Sequence, residues 1–168
     1  MDSHFLPLRS MGIFTGEYAH KLDAKNRVFV PRRLLEQIDD PNERKQFQLV
    51  RTDEPCLTLF TDSGFITHVR GVQAAQRNLP GRRRVNRRAG AFAQPVPLDA
   101  QGRITIPEEF RAAVGLAEDV VLVGCLDWIE VWDERAWRGA ELPAADAFYR
   151  EQSARFLAEP PPAEGESS

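Results

Sequence analysis

The sequence is poor in the residues from which most reactive sites are built. Its 168 residues include two cysteines, three histidines and two methionines. Cys56 and Cys125 are far apart and lack metal-ligand spacing, so they read as reduced, buried thiols, which suits a cytoplasmic protein. His20 and His68 have no recognisable nucleophile or metal pattern around them, and an enzyme is not expected. No cofactor fingerprint is legible, and no small-molecule substrate is expected. No apolar run approaches the roughly 18 residues that span a bilayer, so a membrane partner is not expected either. Residues 1–10 lack the basic start and apolar core of a secretory signal and read as a flexible extension, with Met11 a possible alternative start. What remains is 42% apolar and 28% charged, with 12 prolines: a soluble globular chain with several breaks, of one ordinary domain or two small ones.

One stretch occurs twice. Leu22-Asp23-Ala24-Lys25-Asn26-Arg27-Val28-Phe29-Val30-Pro31 returns as Leu98-Asp99-Ala100-Gln101-Gly102-Arg103-Ile104-Thr105-Ile106-Pro107. A spacing kept in both copies indicates a duplicated unit. Asp23 and Asp99 can accept backbone N–H groups two residues on, as aspartate does at the head of a turn. Asn26 and Gly102 both tolerate a left-handed backbone. Each copy is therefore expected to form a hairpin whose outgoing strand starts at Arg27 or Arg103. Alternation then turns Val28, Val30, Ile104 and Ile106 inward and Arg27, Phe29, Arg103 and Thr105 outward. Asp23 and Asp99 are better explained by their turns than as a catalytic carboxylate pair.

Pro31 and Pro107 suit the first position of a helix, predicting helices from Arg32 to about Ile38 and from Glu108 to about Val114, the second stopped at Gly115. Arg32 and Arg33 oppose the helix dipole by about 0.3–1 kcal/mol each, a cost an anion near that end would offset. Two further strands follow in each copy, Gln46 to Val50 and Cys56 to Phe60, then Val120 to Gly124 and Trp128 to Trp132. The repeat is thus a ββαββ unit of about 45 residues, near the smallest that buries a core alone, and the two are expected to interlock in one core. Between them, Asp62 to Gly90 reads as helical and carries five arginines between Arg82 and Arg88. That cluster is a solvated face, a surface pairing with the acidic tail or a neighbouring subunit, or a phosphate-contacting patch. Beyond Trp132, a helix bearing Trp137 is interrupted by Pro143, and a second runs to about Leu157 with Phe148, Phe156 and Leu157 as anchors. Residues 158–168 read as a disordered tail. The net charge of −3 hides an uneven chain, with the acidic excess concentrated towards the C-terminus.

The paired Asp-x-x-x-Arg turns, with Gly16-Glu17-Tyr18, Val121-Leu122-Val123-Gly124 and Glu130-Val131-Trp132-Asp133, resemble the bacterial MraZ family over about residues 12–157. The resemblance implies an α+β fold of two SpoVT-AbrB-like domains, related to swapped-hairpin β-barrels. They would occupy residues 12–61 and 93–136, with a helical linker over 62–92 and C-terminal helices over 137–157. It implies a cytoplasmic, nucleoid-associated regulator of transcription, with repression the expected sense. The same resemblance implies repeated DNA sites upstream of the division and cell-wall gene cluster, and a ring-like homo-oligomer. The family's DNA-contacting arginine falls on Arg27 and Arg103, with Lys25 beside the former. Lys21, Arg32 and Arg33 complete the candidate set on double-stranded DNA, and this makes the first copy the stronger contact. Asn26 departs from the family's usual glycine. An antitoxin-like or scaffold module, whose acidic C-terminal region holds a partner protein, is the alternative.

Overall fold

Both repeated stretches fold alike in the computed structural model, which describes residues 12–158. In each, an aspartate heads a tight turn. The Asn26 N–H donates to the Asp23 carbonyl at 3.0 Å, and the Gly102 N–H donates to the Asp99 carbonyl at the same distance. Asn26 and Gly102 take the expected left-handed backbone, with φ of 59° and 80°. The strands after the turns are β2 (Arg27–Phe29) and β6 (Arg103–Thr105), and they start on the expected arginines.

The turns do not make hairpins within their own repeats. β1 (Glu17–Lys21) pairs with β7 (Asp119–Gly124), whereas β2 pairs with β6. Leu22, between β1 and the turn, donates its N–H to the Glu118 carbonyl and is buried, so the pairing with the second repeat carries on to the start of the turn. A three-residue strand offers one buried side chain, and pairing across the repeats lets Val28 and Ile104 close over one core together. Strand exchange between repeats replaces the expected hairpins.

The main sheet is antiparallel and runs β1-β7-β8-β4-β3-β5, with β8 at Ile129–Asp133, β4 at Leu57–Phe60, β3 at Gln46–Arg51 and β5 at Ala93–Pro97. Each repeat thereby lends an edge strand to the other. The sheet stays open, and β2–β6 is a separate ribbon, so the closed barrel that was expected is not formed among the described residues. β5 suits an open edge because Pro95 and Pro97 carry no N–H to offer a further strand.

One side of the main sheet faces the ribbon. Phe47, Leu49, Leu57, Leu59, Val120, Leu122, Ile129 and Val131 join Val28, Ile104, Leu34 and Phe110 in a single buried cluster. Leu34 comes from α1 (Arg32–Glu36) and Phe110 from α4 (Glu108–Ala113), each starting directly after its proline as expected. α4 ends on left-handed Gly115, whose neighbour Leu116 donates back to Arg111 and is buried. Both repeats thus build one core, as their size requires.

The other side of the sheet carries the residues between the repeats. These form two helices, α2 (Asp62–Ala75) and α3 (Arg82–Ala91), rather than one. The break spans residues 76–81 and ends on Pro80-Gly81, where the proline ring opposes helix on its N-terminal side and Gly81 turns left-handed with φ 83°. Thr61 caps α2 by accepting the Gly64 N–H at 3.1 Å. Gln46 and Gln48, which alternate with core residues on β3, donate to Asp62 in the first turn of α2. Phe60 stacks against Phe65 and His68 of the same helix. Cys56 and Cys125 are free thiols, the first buried and the second pushed up to about 12 by burial, then by Glu130.

A second compact unit begins at Arg135. α5 (Glu134–Ala136) runs into a π-helical turn over Trp137–Glu141 and then into α6 (Leu142–Ala158). Pro143 does not interrupt this helix. It sits in the first turn of α6, where a proline costs a helix little, and the Leu142 N–H before it donates to the Trp137 carbonyl across the wider turn. Phe148, Phe156 and Leu157 are 63%, 80% and 89% exposed, so they do not anchor α6 as expected. The extension expected over residues 1–11 and the tail beyond 158 lie outside the described residues.

Candidate nucleic-acid interface

Each turn holds its arginine through the aspartate at its head. Asp23 accepts the backbone N–H groups of Lys25 and Arg27 on Oδ1, both at 2.9 Å, and the Arg27 Nε–H on Oδ2 at 2.7 Å. Asp99 does the same for Gln101 and Arg103, with Arg103 Nε at 2.8 Å. The backbone N–H of Arg27, and then its guanidinium, hold the Asp23 carboxyl down at about 2. Asp99 is lowered in the same direction by Arg103. Both carboxylates are therefore fully charged near neutrality. The bonds use Nε, one of five guanidinium donors, and leave the terminal nitrogens of both arginines available.

The ribbon joins what the sequence keeps 76 residues apart. Its register sets Arg27 opposite Thr105, Val28 opposite Ile104 and Phe29 opposite Arg103. Val28 and Ile104 are in the core, so the other four side chains share the outward face. Arg27 and Arg103 are diagonal neighbours there, about 7–8 Å apart at Cα. The two turns also support each other. The Val30 N–H donates to the Gly102 carbonyl, and the Ile106 N–H donates to the Asn26 carbonyl.

The two arginines are not equivalent. The Arg27 side chain is 31% exposed and that of Arg103 is 18%. Arg103 lies over the Phe29 ring, 5.7 Å from its centroid, a cation–π contact that the first arginine lacks. Asn26 adds a second asymmetry. Its amide donates to Glu108 at 2.8 Å, and its oxygen accepts from Arg111, both on α4. Gly102 has no side chain to return that bridge. The departure from glycine ties the first turn to the helix of the second repeat.

The remaining candidates scatter. Lys25 stands exposed at the tip of the first turn. Lys21 pairs with Asp119 at 2.8 Å and lies 3.9 Å from Glu118, and those carboxylates raise its ammonium pKa. That places it among acids at the start of β7. Arg32 pairs with Glu36 across one helical turn at 3.1 Å, which offsets its cost at the helix start, and Arg33 is exposed. Phe29 and Thr105 belong to the arginine face but escaped the sequence reading as candidates. Alternation put them outward, yet only the inter-repeat register says that they stand between the arginines. Among the described residues, no group of histidine, cysteine, aspartate or glutamate is arranged to hold a metal ion. No helix among them is long and apolar enough to cross a membrane.

Comparison with known proteins bears on this geometry. The family model described as "MraZ protein, putative antitoxin-like" matches twice, over residues 13–88 and 91–158. The chain is 33% identical to the transcriptional regulator MraZ of Thermomicrobium roseum, covering 80% of this chain and 92% of that protein. It is 34% identical to the protein of that name from a Nocardioides species, over 74% of this chain and 83% of the other. The corresponding figures for Corynebacterium urealyticum are 31%, 74% and 84%.

Proposed function

The chain belongs to the MraZ family, and on that premise we propose that it is a DNA-binding transcriptional regulator whose contact face is the β2–β6 ribbon. One observation carries the reading: Arg27 and Arg103 converge on one outward face, each fixed through Nε by its own aspartate. A guanidinium held this way keeps its terminal nitrogens for a guanine edge or a phosphate. The names of the relatives, each a transcriptional regulator, support the same reading. Lys25 adds charge beside Arg27, and Arg33 adds it at the start of α1. Lys21 and Arg32 contribute less, because carboxylates already meet them.

Two arginines per chain are too few for tight binding. Each phosphate neutralised adds a counterion-release contribution, so affinity rises as several chains engage one duplex. We therefore propose a homo-oligomer, ring-like as in the family, that represses its own division and cell-wall gene cluster from repeated upstream sites. Residues 12–61 and 93–136 are its two SpoVT-AbrB-like halves, and it works on the nucleoid in the cytoplasm. A footprint on the DNA upstream of its own gene, repeated with Arg27→Ala, tests the reading. Protection of repeated sites that the variant loses, with unchanged circular dichroism, is the expected result. Equal protection by the variant removes Arg27 from the interface.

A second reading has one observation in its favour. α6 exposes Phe148, Tyr149, Phe156 and Leu157, which suits an antitoxin-like module that holds a partner protein. Co-purification of a stoichiometric partner, with no salt-sensitive DNA binding, would support it over the first.

A further inference from the structure

The arginines of the segment between the repeats form a second basic face, and the ribbon does not use it. Arg70 and Gln73 are neighbours on α2 at a three-residue spacing, and Arg77 follows in the turn after the helix, its N–H on the Ala74 carbonyl. With Arg82 of α3 they line a cleft of about 320 Å³. Arg83, Arg84 and Arg87 spread the charge around the exposed side of α3, and all are exposed. Arg27, Arg32, Arg103, Arg150 and Arg155 each meet a carboxylate. Among the described residues, none of the six basic side chains Arg70, Arg77, Arg82, Arg83, Arg84 and Arg87 meets one. The first turn of α3 holds three of them and no acid, against the helix dipole. The helix that presents them is itself tied down. Arg88 donates to the carbonyls of Arg51 and Thr52 at 3.1 and 3.0 Å and packs on Phe92.

We infer that the α2–α3 face is a second phosphate-binding surface, one that takes nucleic-acid backbone. The inference rests on the DNA-binding reading and adds a second duplex segment to it. Backbone fits better than a small phosphate compound because the charge is extended rather than convergent. The cleft, moreover, is lined by Arg70, Gln73, Ala74, Arg77 and Arg82, with no aromatic ring on which a base could stack. The two faces are back to back: Val28 and Ile104 place the ribbon on the core side of the sheet, while Gln46 and Gln48 hold α2 on the other. A straight duplex on one face of a chain does not reach the other, so a chain holding DNA on both bridges two segments.

The test immobilises the operator duplex, loads the full-length protein and adds a free, labelled 20-bp duplex of scrambled sequence. The wild type should recruit the free duplex. Arg70→Gln/Arg77→Gln/Arg82→Gln should reduce recruitment at least ten-fold, keep operator affinity within two-fold, and flatten the log–log salt dependence of recruitment by about 0.9 for each phosphate released. Wild-type recruitment by the triple variant overturns the inference and leaves the ribbon's role intact. Absence of operator binding by the wild type overturns the DNA-binding reading. Anisotropy on the scrambled duplex alone, wild type against triple variant, then still reads the α2–α3 face. Sodium tripolyphosphate or poly-glutamate binding through the same arginines, without duplex binding, overturns nucleic acid as the occupant. The triple variant should melt at or above the wild-type temperature, since its arginines lack partners. A melting point several degrees lower assigns them a structural role instead.

Discussion

Replacing Asp23 by asparagine separates two accounts of the arginine face. The asparagine keeps an oxygen for the Lys25 and Arg27 N–H groups, so the turn survives. It loses the carboxylate that accepts from Arg27 Nε at 2.7 Å. If only net charge mattered, removing a negative group beside the DNA would strengthen binding. At about 8 Å from a phosphate, and screened at physiological salt, that gain is less than about two-fold in Kd. Fixation predicts the opposite. A free arginine side chain gives up about 2 kcal/mol of rotamer entropy on being immobilised, and about half of that is already lost in a side chain held at Nε. Its release should weaken binding by about 1 kcal/mol, or roughly five-fold, leaving about three-fold after the charge gain. Fluorescence anisotropy on an operator duplex at fixed salt reads this difference. Tighter binding by the Asp23→Asn protein would refute the view that the aspartate aims the arginine.

Three further outcomes follow from the same geometry. Asn26→Gly keeps the left-handed turn but loses the bonds to Glu108 and Arg111, and should lower stability in urea by about 1 kcal/mol; a more stable glycine variant would show that the bridge contributes nothing. Ile104→Ala opens a cavity in the shared core and should cost about 2–5 kcal/mol, with strands of both repeats losing hydrogen-exchange protection together; selective loss in one repeat would contradict the interlock. Asp23 should titrate at about 2 by NMR and move up towards 3.8 in Arg27→Gln. A carboxyl lowered on folding contributes fully above its unfolded value, and the contribution fades as the pH falls from about 3.8 through about 2. DNA affinity should therefore show no dependence on this group between pH 5 and 8, and a carboxyl-like transition there would count against it.

Much of this was legible because the repeat is written in turn chemistry. Aspartate at the head, a left-handed residue four positions along the stretch and proline at its end fixed both turns, the first residue of both strands and the starts of both helices. The pairing was not legible. Nothing in Leu22-Asp23-Ala24-Lys25-Asn26-Arg27 distinguishes a hairpin from a turn between sheets, since local signals are the same and the choice is made by the core. The open edge was not read from the sequence, although Pro95 and Pro97 of β5 lack the donors a further strand would need. Pro80-Gly81 was in plain view and did break the helix, whereas Pro143 did not, because a first-turn proline costs a helix little. Phe148, Phe156 and Leu157 looked like anchors by composition alone. The asymmetry between the copies came through in Lys25 and Asn26, but the contact of Arg103 with Phe29 depends on a cross-repeat register that no single stretch encodes.

The central claim is that Arg27 and Arg103 act as one face on DNA. A double-mutant cycle on the operator tests it, with Arg27→Ala, Arg103→Ala and the double variant measured at one salt concentration. Diagonal neighbours gripping one duplex should couple, so the double variant should lose clearly less than the product of the two single losses, with Arg27→Ala the costlier single change. Wild-type affinity in the double variant, with the fold intact, would contradict the account.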